Sequence, residues 1–303
     1  MIFLPKYLTT KIHMNLLLLK KSDLNQVIIK KSITITPSTT LLEAREILLR
    51  HKLKRLIVIN SKKIPVGIIT EKDIVKTVYA LGDKSIASVK VGGFMSKNLV
   101  TIKKTDSVYQ CAKLMYRNKI SSIIAVNQDG TLYGIITKTD LASIFLTQVV
   151  EPIKVSKVMT RKVITAMPGD SLLYVETLLI NNRISRVVVQ RNNIPVGIIT
   201  FRDFVPAKLP HWLVESADPK EVENYRLHSQ LTELRVNQMS HLLQFKAVDI
   251  MSSNPVTIDD DEDVGVAVML MIRNNISGIP VVKKKKLVGI ITKADIVKAI
   301  AQH

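Results

Sequence analysis

The chain has 303 residues, enough for two domains with cores of their own, and its 47% apolar content excludes wholesale disorder. Forty-four Lys and Arg against 25 Asp and Glu leave a net charge of +19, a field that draws in polyanions, either nucleotide phosphates or nucleic acid. A single cysteine, Cys111, rules out an intramolecular disulfide, and no apolar run approaches the ~20 residues that span a bilayer.

Residues 1–27 read as an N-terminal arm. The apolar run Leu16 to Leu19 is flanked by Lys20 and Lys21 and is too short for a secretory signal. The expectation is a fraying arm or an edge strand in a cytoplasmic protein, with Met14 as an alternative start. From residue 28 a pattern sets in that recurs four times, over 28–80, 88–148, 153–206 and 247–301. Each copy opens with a Thr in a β-branched run: Thr34, Thr101, Thr165 and Thr257. Seven residues later an apolar i, i+3, i+7 series begins, as one buried helix face requires. The series are Leu41/Ala44/Leu48, Val108/Cys111/Met115, Leu172/Val175/Leu179 and Val264/Ala267/Met271. Cys111 stands where other copies have Ala or Val, so it reads as a small core residue.

Two apolar runs across a polar turn follow in every copy and predict a β-hairpin. The first runs are Leu56 to Ile59, Ile123 to Val126, Val187 to Val189 and Ile279 to Val282. Each second run ends in Gly-Ile-Ile-Thr-x-x-Asp, at 67–73, 134–140, 197–203 and 289–295, and a further helix is expected after the Asp. The opening Thr precedes that Asp by 39 residues in the first two copies and by 38 in the last two, a slip assigned to the hairpin turn. The predicted class is α+β, with a strand-helix-hairpin-helix unit. Between the third and fourth copies, residues 207–246 form an insertion holding Trp212, with Leu227, Leu231 and Leu234 at helical spacing. It reads as a bridging helix or a docking surface for a partner or second subunit.

The motif's Thr is placed to cap a helix, and its Asp falls in the first turn, close to a capping box. The same geometry offers unpaired N–H groups and a positive dipole end to phosphate, and a carboxylate to vicinal ribose hydroxyls. A cap and a ligand contact are compatible readings.

This unit resembles the CBS domain, the repeat named for cystathionine beta-synthase. The resemblance lies in the openings Phe94-Met95-Ser96, Val158-Met159-Thr160 and Ile250-Met251-Ser252, the segment Ile276 to Val281, and the four motif endings. The first copy lacks the Met-Ser/Thr opening. The resemblance implies that repeats pack as pseudo-two-fold pairs, with adenine nucleotides or related adenosyl ligands between them. Four repeats imply two pairs, as in the nucleotide-sensing γ subunit of AMP-activated protein kinase. It assigns the motif residues Thr70/Asp73, Thr137/Asp140, Thr200/Asp203 and Thr292/Asp295 to ribose or phosphate, and places Thr34, Thr101, Thr165 and Thr257 along the same clefts. Twenty-one residues after each opening Thr stand Arg55, Ser122, Arg186 and Gly278. Relatives meet phosphate with Arg there, so Arg55, its neighbour Lys54, and Arg186 are phosphate candidates, one Arg per pair.

Residues 1–205 carry the whole charge excess, whereas 206–303 are neutral. Lys283 to Lys286 falls in a hairpin turn and reads as solvated, and Asp259 to Asp263 reads as an acidic helix start rather than a metal site. No nucleotide-binding P-loop, dinucleotide fingerprint, nucleophile elbow or zinc-protease motif occurs, so the expectation is a non-enzyme. Three functions remain: an AMP/ADP/ATP sensor that regulates an unidentified protein, a sensor of S-adenosylmethionine or another adenosyl ligand, and a basic nucleic-acid-binding regulator. A homodimer is compatible with each, and no membrane partner is expected.

Overall fold

The computed structural model describes residues 24, 28–30, 32–80, 87–148, 151–204 and 245–302. Within them the four copies adopt one design, three strands of their own backed by helices, with Ser252–Ser253 joining the sheet of repeat 3 as a fourth strand. In repeat 1 the strand Thr34–Ile35 pairs in parallel with Arg55–Ile59, which pairs antiparallel with Pro65–Thr70. Repeats 2, 3 and 4 repeat the order with hairpins Ser122–Val126/Leu132–Thr137, Arg186–Arg191/Ile194–Thr200 and Gly278–Lys283/Lys286–Thr292. The helix between the first two strands starts at a side-chain cap in every copy: Thr40, Ser107, Ser171 and Asp263. All four apolar series lie on the buried side of these helices, Cys111 included.

The one-residue spacing slip sits in the hairpin turns. Repeats 1 and 2 use longer loops, where Asn60 Oδ1 accepts from the amides of Lys62 and Ile64, and Gly130 takes φ +82°. Repeats 3 and 4 use two-residue turns, Asn192-Asn193 and Lys284-Lys285, with both residues at positive φ. The lysine run is therefore a turn, and its side chains are exposed. Two details differ from the sequence expectation. Thr257 lies one residue ahead of its strand, Ile258–Asp259; by the register of the other copies it would face Pro280, which has no N–H to give to the ladder. After Thr200 the chain makes a 3-10 turn, Phe201–Phe204, where the other repeats begin helices at Glu71, Lys138 and Lys293. Most of the 207–246 insertion and of the arm, including Trp212, Leu227, Leu231, Leu234 and Met14, lies outside the described residues.

Repeats join in pairs by exchanging their entry segments. Ser96, leading into repeat 2, bridges Ile68 of repeat 1, while Ile29, leading into repeat 1, bridges Ile135 of repeat 2. The same exchange links Thr160 with Ile290, and Ser252 with Ile198, between repeats 3 and 4. The motif glycine makes this approach possible. A Cβ on Gly67, Gly197 or Gly289 would lie 2.3, 2.3 or 2.5 Å from the sulfur of Met95, Met251 or Met159. On Gly134 it would meet Ile28 Cγ2 at 2.4 Å and the Ile29 carbonyl oxygen at 2.7 Å. Ile28 thus fills the place that methionine fills elsewhere, which accounts for the missing Met in the first opening. Because a backbone atom blocks the methyl at Gly134, Gly134→Ala is expected to cost about 1–3 kcal/mol in denaturant unfolding, as overpacking does. No measurable loss would mean that this contact relaxes freely.

Helices join one pair to the other. A single core runs through repeats 2 and 4, from Val108, Met115, Leu141 and Phe145 to Val268, Met271, Ile296 and Ile300. A second joins Val75 of repeat 1 to Val175, Leu179 and Phe201 of repeat 3. The smaller Ile57/Ile124/Ile135 cluster lies between the sheets of repeats 1 and 2, and the Val188/Leu287/Ile290 cluster between those of repeats 3 and 4. No described helix is long and apolar enough to cross a membrane.

Candidate functional site

Each motif Thr stands immediately before a helical turn, and the Asp three residues on folds back to it. Asp Oδ2 accepts from the Thr amide and hydroxyl in all four copies, at 2.9 and 2.7 Å for Thr70/Asp73 and 2.7 and 2.7 Å for Thr137/Asp140. The distances are 2.7 and 2.8 Å for Thr200/Asp203, and 2.8 and 2.6 Å for Thr292/Asp295. In repeats 1 and 4 the Thr oxygen also accepts from the Asp amide, at 3.3 and 3.4 Å, which completes a reciprocal box built on Asp. The second carboxylate oxygen is where the copies diverge. Oδ1 of Asp73 and of Asp140 accepts no bond from a described residue, while Oδ1 of Asp295 accepts one from the Thr160 hydroxyl at 2.9 Å. Burial pushes the Asp140 carboxyl up, against the pull of the Thr137 bonds and of Arg55.

The opening threonines are spread over the four sheets. Thr165 lines a surface depression of about 350 Å³ with Ala166, Met167, Asp170, Tyr174 and Gln190. Thr34 is half-buried, and Thr101 and Thr257 are exposed. None of the four makes a side-chain hydrogen bond to a motif residue.

Charge converges elsewhere, where the starts of the second strands meet the starts of the C-terminal helices. Arg186 of repeat 3 donates from Nη2 to Ser277 Oγ of repeat 4 at 2.8 Å, and Lys54 of repeat 1 donates to the same oxygen at 3.3 Å. Lys293 of repeat 4 donates to Thr139 Oγ1 of repeat 2 at 3.1 Å. Arg202 of repeat 3 pairs with Glu71 of repeat 1 and donates to the Leu53 carbonyl at 3.0 Å. Residues from all four repeats therefore share one centre. Six cations (Lys54, Arg55, Lys138, Arg186, Arg202 and Lys293) interact there with the carboxylates of Glu71, Asp140 and Asp295.

The arginines fit because their counterparts are small. Arg186 and Gly278 occupy equivalent positions in repeats 3 and 4, and a Cβ on Gly278 would lie 1.8 Å from Arg186 Nη1. One guanidinium lies across the space that a second side chain would need. Nη1 of Arg186 and Nη1 of Arg55 are both buried without a hydrogen-bond acceptor among the described residues. A guanidinium presents five donors in a fixed fork, so each orphaned nitrogen is an unmet demand for an anionic oxygen. Burial lowers both arginines to about 10, opposed by Glu71 and Asp140 near Arg55 and by Asp295 near Arg186. Although the Lys54 side chain reaches solvent, lost hydration and then the charges of Arg186, Lys293 and Arg202 hold its ammonium down to about 8. Lys138 and Lys293 are lowered too, mainly by burial.

Of the residues singled out from sequence, Lys54, Arg55 and Arg186 come together with Asp140 and Asp295. Glu71, Lys138, Arg202 and Lys293 were not foreseen, since they fill the variable positions of the motif. Their signal was the charge itself: each stands one or two residues after a cap, where a helix start aims side chains at the centre. Cys111 is buried and its thiol is pushed up to about 12, first by burial, so it is an inert core group. Asp263 caps its helix through Gly265 N at 2.7 Å and also accepts from Ile153 N at 2.6 Å, as an acidic helix start should.

A family model described as the CBS domain matches residues 24–80, 91–147, 155–209 and 247–302. The protein MJ1225 of Methanocaldococcus jannaschii is 26% identical over 90% of this chain and 96% of its own length. Its crystal structure, described as that of a proposed archaeal homolog of g-AMPK, matches 91% of this chain and 99% of its own with a TM-score of 0.76 at 24% identity. A conserved protein from Pyrococcus horikoshii matches 92% of this chain and 100% of its own with a TM-score of 0.60 at 17% identity.

Proposed function

The chain belongs to the CBS domain family, and we propose that it is a regulatory sensor of AMP, ADP or ATP. Ligand occupies clefts between paired repeats, its ribose on a motif Asp and its phosphates at the shared basic centre. The observation that carries this reading is the pair of orphaned guanidinium nitrogens, on Arg55 and Arg186, amid Lys54, Lys138 and Lys293. A phosphate supplies the missing acceptors and offsets the excess positive charge, and Arg binds it bidentately. S-adenosylmethionine brings one carboxylate to these donors but no phosphate, and its sulfonium and ammonium add positive charge to a centre that already holds an excess of it. The description of MJ1225 as a proposed homolog of g-AMPK points the same way.

Regulation follows from the architecture. Lys54 of one pair and Arg186 of the other meet on Ser277, so an anion that recruits both alters the contact between pairs. A ligand shifts that packing only as far as its affinities for the two arrangements differ. An unidentified protein partner reads the change.

Calorimetric titration with the three nucleotides is the test, and no binding at millimolar concentration would sink the idea. The pH dependence adds a sign. Lys54 is charged below about 8 and attracts phosphate; above that it is neutral and does not. Affinity is therefore expected to fall between pH 7 and pH 9, with proton uptake on binding near pH 8. The ligand-free fold shows the opposite trend. The unfolded chain holds this proton more tightly than the folded one, so between about pH 8 and 10.5 this lysine's effect on stability is favourable as pH rises. Affinity that is flat over pH 7–9 would remove Lys54 from the phosphate contact.

A further inference from the structure

The four motif carboxylates look alike in sequence, yet what stands opposite them is not the same. Opposite each is the entry residue that bridges the strand five residues before the Asp. These are Ser96 for Asp73, Ile29 for Asp140, Ser252 for Asp203 and Thr160 for Asp295. An ionised carboxylate has about four acceptor positions. The capping Thr uses two of them on Oδ2 in every copy. At Asp295 the Thr160 hydroxyl takes a third, on Oδ1, and the residue is only 9% exposed.

We infer that Thr160 is an internal competitor for ribose hydroxyls, which closes the Asp295 cleft while the Asp140 cleft stays open. The inference rests on the nucleotide reading above. A vicinal diol donates two hydrogen bonds, and Asp295 has about one acceptor position left to receive them. The hydroxyl of Thr160 occupies the place of one of the two ribose hydroxyls. Its β-branch restricts the side chain to few rotamers, which keeps the hydroxyl aimed. Ser96 in the corresponding place makes no such bond to Asp73. Ile29, opposite Asp140, has no hydroxyl at all, and Asp140 Oδ1 is free of described partners. Arg55, with its unpartnered Nη1, lies close enough to Asp140 to attract its charge. The Asp140 cleft thus keeps the acceptor that a diol needs and a cation for the phosphate. Thr160 is a specificity-determining residue, which decides which clefts accept ligand rather than how the ligand is held.

The experiment is calorimetry with ADP on the wild type and on Thr160→Val, Thr160→Ser and Ile29→Thr. Thr160→Val is isosteric and removes only the hydroxyl. It is expected to add one binding event per chain, or to tighten one class of site about threefold to tenfold, the effect of one hydrogen bond. Thr160→Ser, which keeps a hydroxyl but loses the β-branch that aims it, should fall between wild type and Thr160→Val. Ile29→Thr places a hydroxyl opposite Asp140 on a 44% exposed residue and should weaken binding by a similar factor. A Thr160→Val isotherm matching that of a wild type that binds ADP would overturn the inference and leave the nucleotide reading intact. Absence of ADP binding by wild type and variants alike would overturn both. If Thr160→Val loses its cooperative melt by circular dichroism, Ile29→Thr decides alone: weaker binding supports the inference and unchanged binding overturns it.

Discussion

Replacing Arg55 and Arg186 together with Met is expected to weaken nucleotide binding by about 10²-fold or more while leaving the ligand-free protein no less stable. Each guanidinium offers phosphate a charge-assisted bond worth ~1.5–3 kcal/mol, or roughly tenfold to 150-fold in affinity. The two belong to different pairs but face one centre, so their effects need not add. Met retains the length of the arginine stem and removes the charge and the orphaned donors. A buried cation without a full set of acceptors is a burden on the folded state, and its replacement by an apolar chain is often neutral or stabilising. Against that gain stand the lost bonds from Arg186 to Ser277 and Ser185 and the lost attraction to Glu71, Asp140 and Asp295, which keep the lysines of the centre and Arg202 as counter-charges. The two readouts separate the possibilities. Weaker binding with an unchanged or raised melting temperature marks a ligand site, whereas unchanged binding with a lowered melting temperature marks a structural ion cluster and refutes the assignment.

Ile300→Ala should lower unfolding free energy by about 2–5 kcal/mol, the range for truncating a fully buried aliphatic side chain. Ile300 is 1% exposed and lies on the last helix of repeat 4, in the core it shares with repeat 2. The cost combines lost transfer energy with the cavity left behind, and a core assembled from several helices of two repeats has limited freedom to collapse. Because that core crosses from one pair to the other, repeats 2 and 4 are expected to melt together. Urea unfolding followed by circular dichroism should show one transition with an earlier midpoint. A loss under about 1 kcal/mol, or a separate early step for repeat 4, would show that the helices do not couple the pairs.

The repeat itself was legible because it is written in local chemistry. Apolar periodicity located the buried helix faces, and polar turns located the hairpins. Thr and Asp three apart announced the cap that forms in every copy. The openings were visible too, although not their purpose. That Met95, Met159 and Met251 cover a glycine of the sister repeat depends on contacts remote in sequence. So does the substitution of Ile28 for methionine in the first copy. The centre was half legible. Arg55 and Arg186 stood out because small residues, Ser122 and Gly278, hold the equivalent places. Glu71, Lys138, Arg202 and Lys293 did not, since a motif's variable positions look like solvent-facing filler until four helix starts are brought together. The self-engagement of Asp295 had no sequence signal beyond a Thr where two other openings have Ser.

The exchanged entry segments set a lower limit on what can exist alone. A single repeat cut from the chain would keep a groove at its motif glycine, and the edge of its last strand would have lost its bridge. Its own entry segment would have nothing to lie on. Exposed strand edges of that kind invite pairing with other molecules. As far as the entry segments go, the smallest closed unit is therefore a couple, repeats 1 and 2 or repeats 3 and 4, in which each member holds the other's leading end, and the shared helix cores then bind couple to couple. Any lengthening or shortening of such an architecture proceeds by twos.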